Sequence, residues 1–306
     1  MVVLSPLPAL RRRLPSGVRL REWLDGWLFA SPFILGVLAF WVSPMLYALF
    51  LTTQDWDMLH APDFVGLGNF RKILEDPLVR TSLWNTASYT FLSVPLNLMV
   101  AFSLAVALNQ RLSGRSVYRT VFYLPSITPA VASAVVWLMV FNPEFGILNS
   151  ILGLFGVAPV KWLFDTRIAK PAFIFMQLWS VGPQMIIMLA ALQNVPQEAL
   201  EAAQIDGAGS WARFRNVTIP MVSPALFFNL IIGIIGSLQV FTASFIMTRG
   251  GPQNATLFVV LYIYENGFSK LQMGYAATLS WLLFVIIMLF TLIQLKASRS
   301  WVYYEV

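Results

Sequence analysis

Charged residues divide this chain into long apolar runs. Six stretches hold no Asp, Glu, Lys or Arg: 26–54, 81–110, 120–143, 171–197, 216–248 and 271–295, and the shortest has 24 residues. A helix rises about 1.5 Å per residue, so roughly 20 apolar residues cross the hydrocarbon core of a bilayer. The pattern predicts an all-α membrane protein with six transmembrane helices, near 27–51, 84–108, 120–142, 171–194, 220–247 and 271–295. Pro125 and Pro129 stand near the start of the third, and Gly182-Pro183 should break or kink the fourth. Two shorter uncharged runs, 145–160 and 250–264, carry Pro159 and Gly251-Pro252 and read as loops or interfacial segments.

The segment 196–220 departs from this pattern. It is too polar for lipid, yet Glu198 to Gln204 is rich in strong helix formers. Pro196 suits a first helical position, where its missing N–H is not needed. Gly207 can take the left-handed conformation that ends a helix. Ser210 can cap a second short helix, with Trp211 and Phe214 on one face, and Pro220 opens the fifth span. The expectation is a helix–turn–helix projecting from the membrane.

Composition agrees with the pattern. Of 306 residues, 58% are hydrophobic and 11% charged, with mean hydropathy +0.71; soluble domains average about 25% charged residues. Six spans put both termini on one face, together with the loops 109–119 and 196–220. Twelve of the 20 Lys and Arg and six of the 14 acids fall there, so that face carries the whole net charge of +6 and is expected to be cytoplasmic. The pI near 9.7 then reflects topology and anionic lipid rather than nucleic acid. Arg11, Arg12 and Arg13 precede an apolar run too long for a cleaved leader, so the first span is expected to be retained.

Chemistry in the chain is sparse. With no cysteine there is no disulfide and no thiolate metal site, and the one histidine, His60, stands without an evident partner. No G-x-x-x-x-G-K-[ST] run is present, so ATP is not expected to bind here in that mode. Intramembrane charges mark proton and ion pathways, and none lies in the six runs. That disfavours a self-sufficient ion-driven carrier and favours a neutral polar cargo. The polar side chains within the spans include Asn97, Gln177, Trp179, Gln184, Asn229, Ser237, Gln239, Tyr275 and Ser280, each equally able to make helix–helix hydrogen bonds.

Glu201-Ala202-Ala203, then Asp206-Gly207-Ala208 and Ile219-Pro220, resemble the EAA loop of permease subunits of binding-protein-dependent ABC importers, and within these the carbohydrate-uptake type that handles maltose or glycerol-3-phosphate. Further blocks fit in order: Ser31-Pro32-Phe33, Val65-Gly66-Leu67-Gly68-Asn69-Phe70, Tyr118-Arg119 with Leu124-Pro125, Arg249-Gly250-Gly251-Pro252, and Gly274-Tyr275-Ala276-Ala277. The resemblance covers about 27–298.

It implies the permease fold, with a cytoplasmic tail 1–26, a six-span domain 27–298 containing the loop 196–220, and a tail 299–306. It also implies a multi-pass protein of the cell membrane that is not an enzyme and has no cofactor of its own, since ATP and magnesium bind a partner ATPase. The implied partners are a second six-span permease, two ATPase subunits, an extracytoplasmic solute-binding protein and the sugar cargo. Leu200, Glu201, Ala202, Ala203, Asp206, Gly207 and Ala208 would contact the ATPase, with Leu200 where a Tyr is usual. Trp179, Gln184, Gly233, Ser237, Gln239 and Tyr275 are the candidate cargo path. Gly233 and Pro183 offer no sugar-binding side chain, which leaves more of the site to the partner permease. A phosphorylated polyol is the alternative cargo.

Overall fold

The structure, a computed structural model, describes residues 16–110 and 112–303. Residues 1–15 of the expected tail 1–26, residues 304–306 of the expected tail 299–306, and Arg111 lie outside the described residues. The chain divides into two units, through Leu51 and from Thr52 onward.

The first unit is one apolar rod: α1 (Ser16–Val37), a π-helical turn (Leu38–Val42) and α2 (Ser43–Leu51). It starts earlier than the expected 27, because charges such as Arg21 and Asp25 limit what enters lipid without limiting the helix. Pro44 is the second residue after the π turn. A proline lacks the N–H for an α-helical bond and its ring clashes with the carbonyl four residues back; the wider π turn relieves both.

In the second unit a two-strand ribbon, β1 (Gln54–Asp55) against β2 (Asp63–Phe64), precedes α3 (Gly68–Glu75) and α4 (Pro77–Asn109). His60 lies in the ribbon's turn and does have a partner: its Nδ1 is 2.6 Å from Asp57 Oδ2. That hydrogen bond raises the imidazole pKa and, with the Asp57 bonds to the His60 and Leu59 N–H groups, lowers Asp57 to about 2. Residues three apart on a turn were not distinguishable from a lone histidine by motif spacing. With 33 residues α4 is about 50 Å long. Its buried stripe, including Ser82, Asn85, Thr86, Tyr89, Ser93, Asn97, Ala101 and Ala105, is small or polar, so neighbouring helices approach closely.

The third expected span is broken: α5 (Arg115–Tyr123) and a 3-10 turn at Leu124–Ile127 meet α6 (Ala130–Val140) at 101°. Pro125 and Pro129 bracket the bend. After α7 (Ile147–Leu154), inside a run expected to be a loop or an interfacial segment, the fourth span is α8 (Ala169–Leu178) and α9 (Gly182–Gln193), bent by 46° at Gly182-Pro183 as expected.

Then come α10 (Gln197–Ile205), α11 (Ser210–Arg213), α12 (Ile219–Leu238) and α13 (Thr242–Met247), followed by α14 (Val259–Tyr264) and α15 (Met273–Ser298). Among the described residues four helical stretches are long and apolar enough to cross a membrane, Leu20–Leu51, Pro77–Asn109, Ser210–Met247 and Met273–Ser298, and the two bent pairs make six if each is one span.

The polar segment differs from the expected helix–turn–helix. Pro196 is the residue before the first helical turn of α10, and Gly209, not Ser210, precedes α11 with no side-chain cap. Nor is α11 separate, since it runs through a π turn at Phe214–Thr218 into α12. Pro220 is again the second residue after a π turn, the device seen at Pro44.

Four hydrophobic clusters hold the second unit, and two of them flank the helix breaks and α10. Tyr89, Trp137, Phe141, Phe173 and Phe258 form an aromatic cluster near the breaks. Ala101, Ala105, Met185, Met188 and Val222 form the other, toward α10.

Candidate functional site: the α10 turn and the cavities at the helix breaks

The end of α10 is a complete Schellman turn. The Ala208 N–H donates to the Ala203 carbonyl at 2.9 Å and the Gly207 N–H to the Gln204 carbonyl at 3.1 Å. Gly207 has φ +79°, the left-handed region open to glycine. The two arms are tied by Arg213 Nη1 donating to Gln204 Oε1 at 2.8 Å. Trp211 lies against Phe214, whose ring stacks on Phe102 of α4 at 6.1 Å.

The turn has an inner and an outer face. Leu200 packs inward, against the cluster that includes Leu192, Val195 and Val222. Ala203 and Ala208 are half-buried, while Glu201, Ala202, Asp206 and Gly207 are exposed. Ile205 and Trp211 stand 85% and 70% exposed, leaving an apolar knob beside two carboxylates. Sequence reasoning did not single out Ile205. Its signal was an isoleucine out of phase with the inward-facing Leu200.

The candidate path residues separate into groups. Gln184, Gly233 and Ser237 line one small cavity of about 30 Å³ with Ser93, Asn97, Gln177 and Asn229. Such a volume holds about one water. Ser237 Oγ donates to Thr90 Oγ1 at 3.0 Å, whereas Gln184 Oε1 and Ser93 Oγ are buried without a partner. Val94 Cγ1 would lie 3.2 Å from a Cβ on Gly233, so this glycine brings α12 close to α4.

A larger cavity of about 420 Å³ opens where three helices break. Its wall takes Pro125, Ser126 and Thr128 from the first bend, Gln177, Ser180 and Pro183 from the second, and Val240 to Ala243 from the gap between α12 and α13, with Tyr89 and Phe173. The volume is in the range of small-molecule sites, and Gln177 borders both cavities. Among the described residues, no Lys, Arg, Asp or Glu lines either one. Serine and threonine hydroxyls, one amide and aromatic faces suit a polar, uncharged guest.

Trp179 lies at the second bend, half-exposed, its ring edge-on to Trp137 at 6.0 Å. Gln239 is exposed beside Val240. Tyr275 is elsewhere, buried at the start of α15, its hydroxyl donating to Asp76 Oδ2 at 2.7 Å. Tyr262 donates to the same oxygen, and Lys72 and Lys270 lie over the rings of Tyr275 and Tyr262. Burial opposes the charge on Asp76, but the two hydroxyls, the Leu78 N–H and Lys270 together hold its carboxyl below the usual range. Tyr275 thus fastens α15 to the head of α4.

Residues 97–300 match the binding-protein-dependent transport system inner membrane component family. The chain belongs to this family. It is a permease, a transport subunit set in the membrane and not an enzyme. The permease is 40% identical to the probable ABC transporter permease protein YesP of Bacillus subtilis (strain 168), over 93% of this chain and 94% of the relative. It is 34% identical to the trehalose/maltose transport system permease protein MalF of Thermococcus litoralis, over 94% and 97%. To the lactose transport system permease protein LacF of Rhizobium radiobacter it is 35% identical, over 90% and 95%. In fold it is similar to a chain of the bacterial alginate ABC transporter crystallised with an alginate pentasaccharide-bound periplasmic protein: TM-score 0.82, 23% identity, 95% of this chain and 99% of that one.

Proposed function

We propose that this permease forms part of the path of an ATP-driven importer for a sugar or oligosaccharide, and that force reaches it through α10. The observation that carries this reading is the Schellman turn at Gly207, closed by two backbone hydrogen bonds and exposed at Glu201, Ile205 and Asp206. In the proposed assembly that face seats Glu201, Ile205 and Asp206 in a groove of a cytoplasmic ATPase subunit. Two such subunits bind ATP and magnesium, and this chain holds no cofactor. A second permease completes the path, and an extracytoplasmic binding protein delivers the cargo. Both termini are then cytoplasmic.

The geometry supplies a lever. α10 is joined through residues 194–196 to α9, which contributes Pro183 and Gln184, and through the continuous α11–α12 rod to Gly233 and Ser237. A push on the turn therefore moves two cavity walls at once. The helix breaks are the hinges, because backbone freed from the α-helical ladder changes direction most easily there. The uncharged cavity linings favour a neutral sugar over a phosphorylated polyol, and the trehalose/maltose and lactose permeases among the relatives support the same cargo class.

Glu201→Lys tests the docking. Reversing a charge at a seated interface costs about 2–5 kcal/mol. ATPase retained by the tagged permease in a pull-down should fall at least about tenfold, and undiminished retention would contradict the reading.

A further inference from the structure

α5 places Arg115 and Arg119 four residues apart on one face. Both half-buried side chains converge on Gln193, the last residue of α9. With that exposed amide oriented so that its oxygen faces them, Oε1 accepts from Arg115 Nη2 and from Arg119 Nη2, the latter at 2.8 Å. The Nε atoms of both arginines are buried and have no acceptor. The ion pairs among the described residues are His60–Asp57 and Arg71–Glu75, so neither arginine has a carboxylate.

Two positive charges therefore share one neutral oxygen. A clamp between α5 and α9 needs only one of them. Each guanidinium has five donors in a fork that matches phosphate, and here the Nε of each is unused. On the opposite side of α5, Val117 and Val121 are 64% and 57% exposed, with Tyr118 beside them at 50%. Exposed apolar side chains with a tyrosine mark the membrane–water boundary, where lipid phosphates lie.

We propose that Arg115 and Arg119 bind the phosphate of an anionic phospholipid at the α10 end of the bundle. The bound phosphate replaces or supplements Gln193 and bridges α5 to α9. One side of that bridge continues to the Pro125–Ser126 wall of the larger cavity, and the other stops three residues before Pro196 at the head of α10. The lipid would thus brace the joint between the coupling turn and the cavity.

The test reads lipid directly and does not depend on transport. The full-length permease is equilibrated with phosphatidylcholine micelles containing phosphatidylglycerol, and retained lipid is counted by native mass spectrometry. Phosphatidylglycerol should be retained over phosphatidylcholine. R115Q/R119Q should weaken that preference about tenfold, the scale of lost charge-assisted hydrogen bonds. R115K/R119K keeps both charges and should preserve part of it. Arg71→Gln, whose guanidinium pairs with Glu75 instead, should change nothing. Equal retention of the two lipids, or an undiminished preference in R115Q/R119Q, would overturn the site. Displacement of the lipid by millimolar inorganic phosphate alone would overturn the lipid as its occupant.

Discussion

Gly207→Val should abolish ATP-driven uptake while leaving the protein in the membrane at normal yield. A Cβ at this position meets nothing within 4 Å, so the substitution breaks no packing. Its whole effect comes from φ +79°, where a β-branched residue is strained by about 1–3 kcal/mol. The strain falls on the Schellman bonds from Gly207 and Ala208, and losing them splays the turn that joins α10 to α11. In reconstituted vesicles holding the complete transporter, uptake should drop by more than about tenfold. Gly207→Asn should retain most of it, because asparagine tolerates the left-handed region. If valine and asparagine behave alike, turn geometry does not transmit force.

Gly182→Ala should be a severely damaging single-methyl change at the helix breaks. The added Cβ would lie 2.6 Å from the Phe122 carbonyl oxygen and 2.7 Å from Tyr123 Cα. Both are backbone atoms at the end of α5, so no side chain can swing aside. Either α9 retreats or α5 shifts, and overpacking of this kind costs about 1–3 kcal/mol. It also opens the contact that holds two broken spans around the larger cavity. We expect a fall of several degrees in the unfolding midpoint in detergent, with weaker sugar uptake. Gly236→Ala is the control, since its Cβ meets nothing within 4 Å. Equal midpoints for the two variants would show that the close approach at Gly182 is not needed.

Much of this was legible in the chain. Charge spacing located the long apolar helices because lipid excludes unpaired charges, and Gly182-Pro183 announced a break that is present. Gly207 was readable as a helix terminator because few residues other than glycine accept its conformation. Less legible were features that depend on neighbours. The π turn before Pro220 lets the helix continue where proline alone argued for a new start, so α11 and α12 merge. The 101° bend between α5 and α6 exceeds what Pro125 and Pro129 would signal separately. Tyr275 looked like a polar residue of the path, but its partner Asp76 lies 199 positions away and no local pattern reveals it. The larger cavity was unreadable for a similar reason, since it is made by three breaks that come together only in the folded bundle.

In the proposed transporter an ATPase subunit covers the outer face of the α10 turn. The chain contains no cysteine, so Ile205→Cys introduces a unique thiol at the exposed knob. Its rate of labelling by a water-soluble maleimide is to be measured in the isolated permease and in the assembled transporter. Labelling should be fast in the permease alone and strongly slowed once the ATPase subunits are bound. Equal labelling in both states would contradict that coverage.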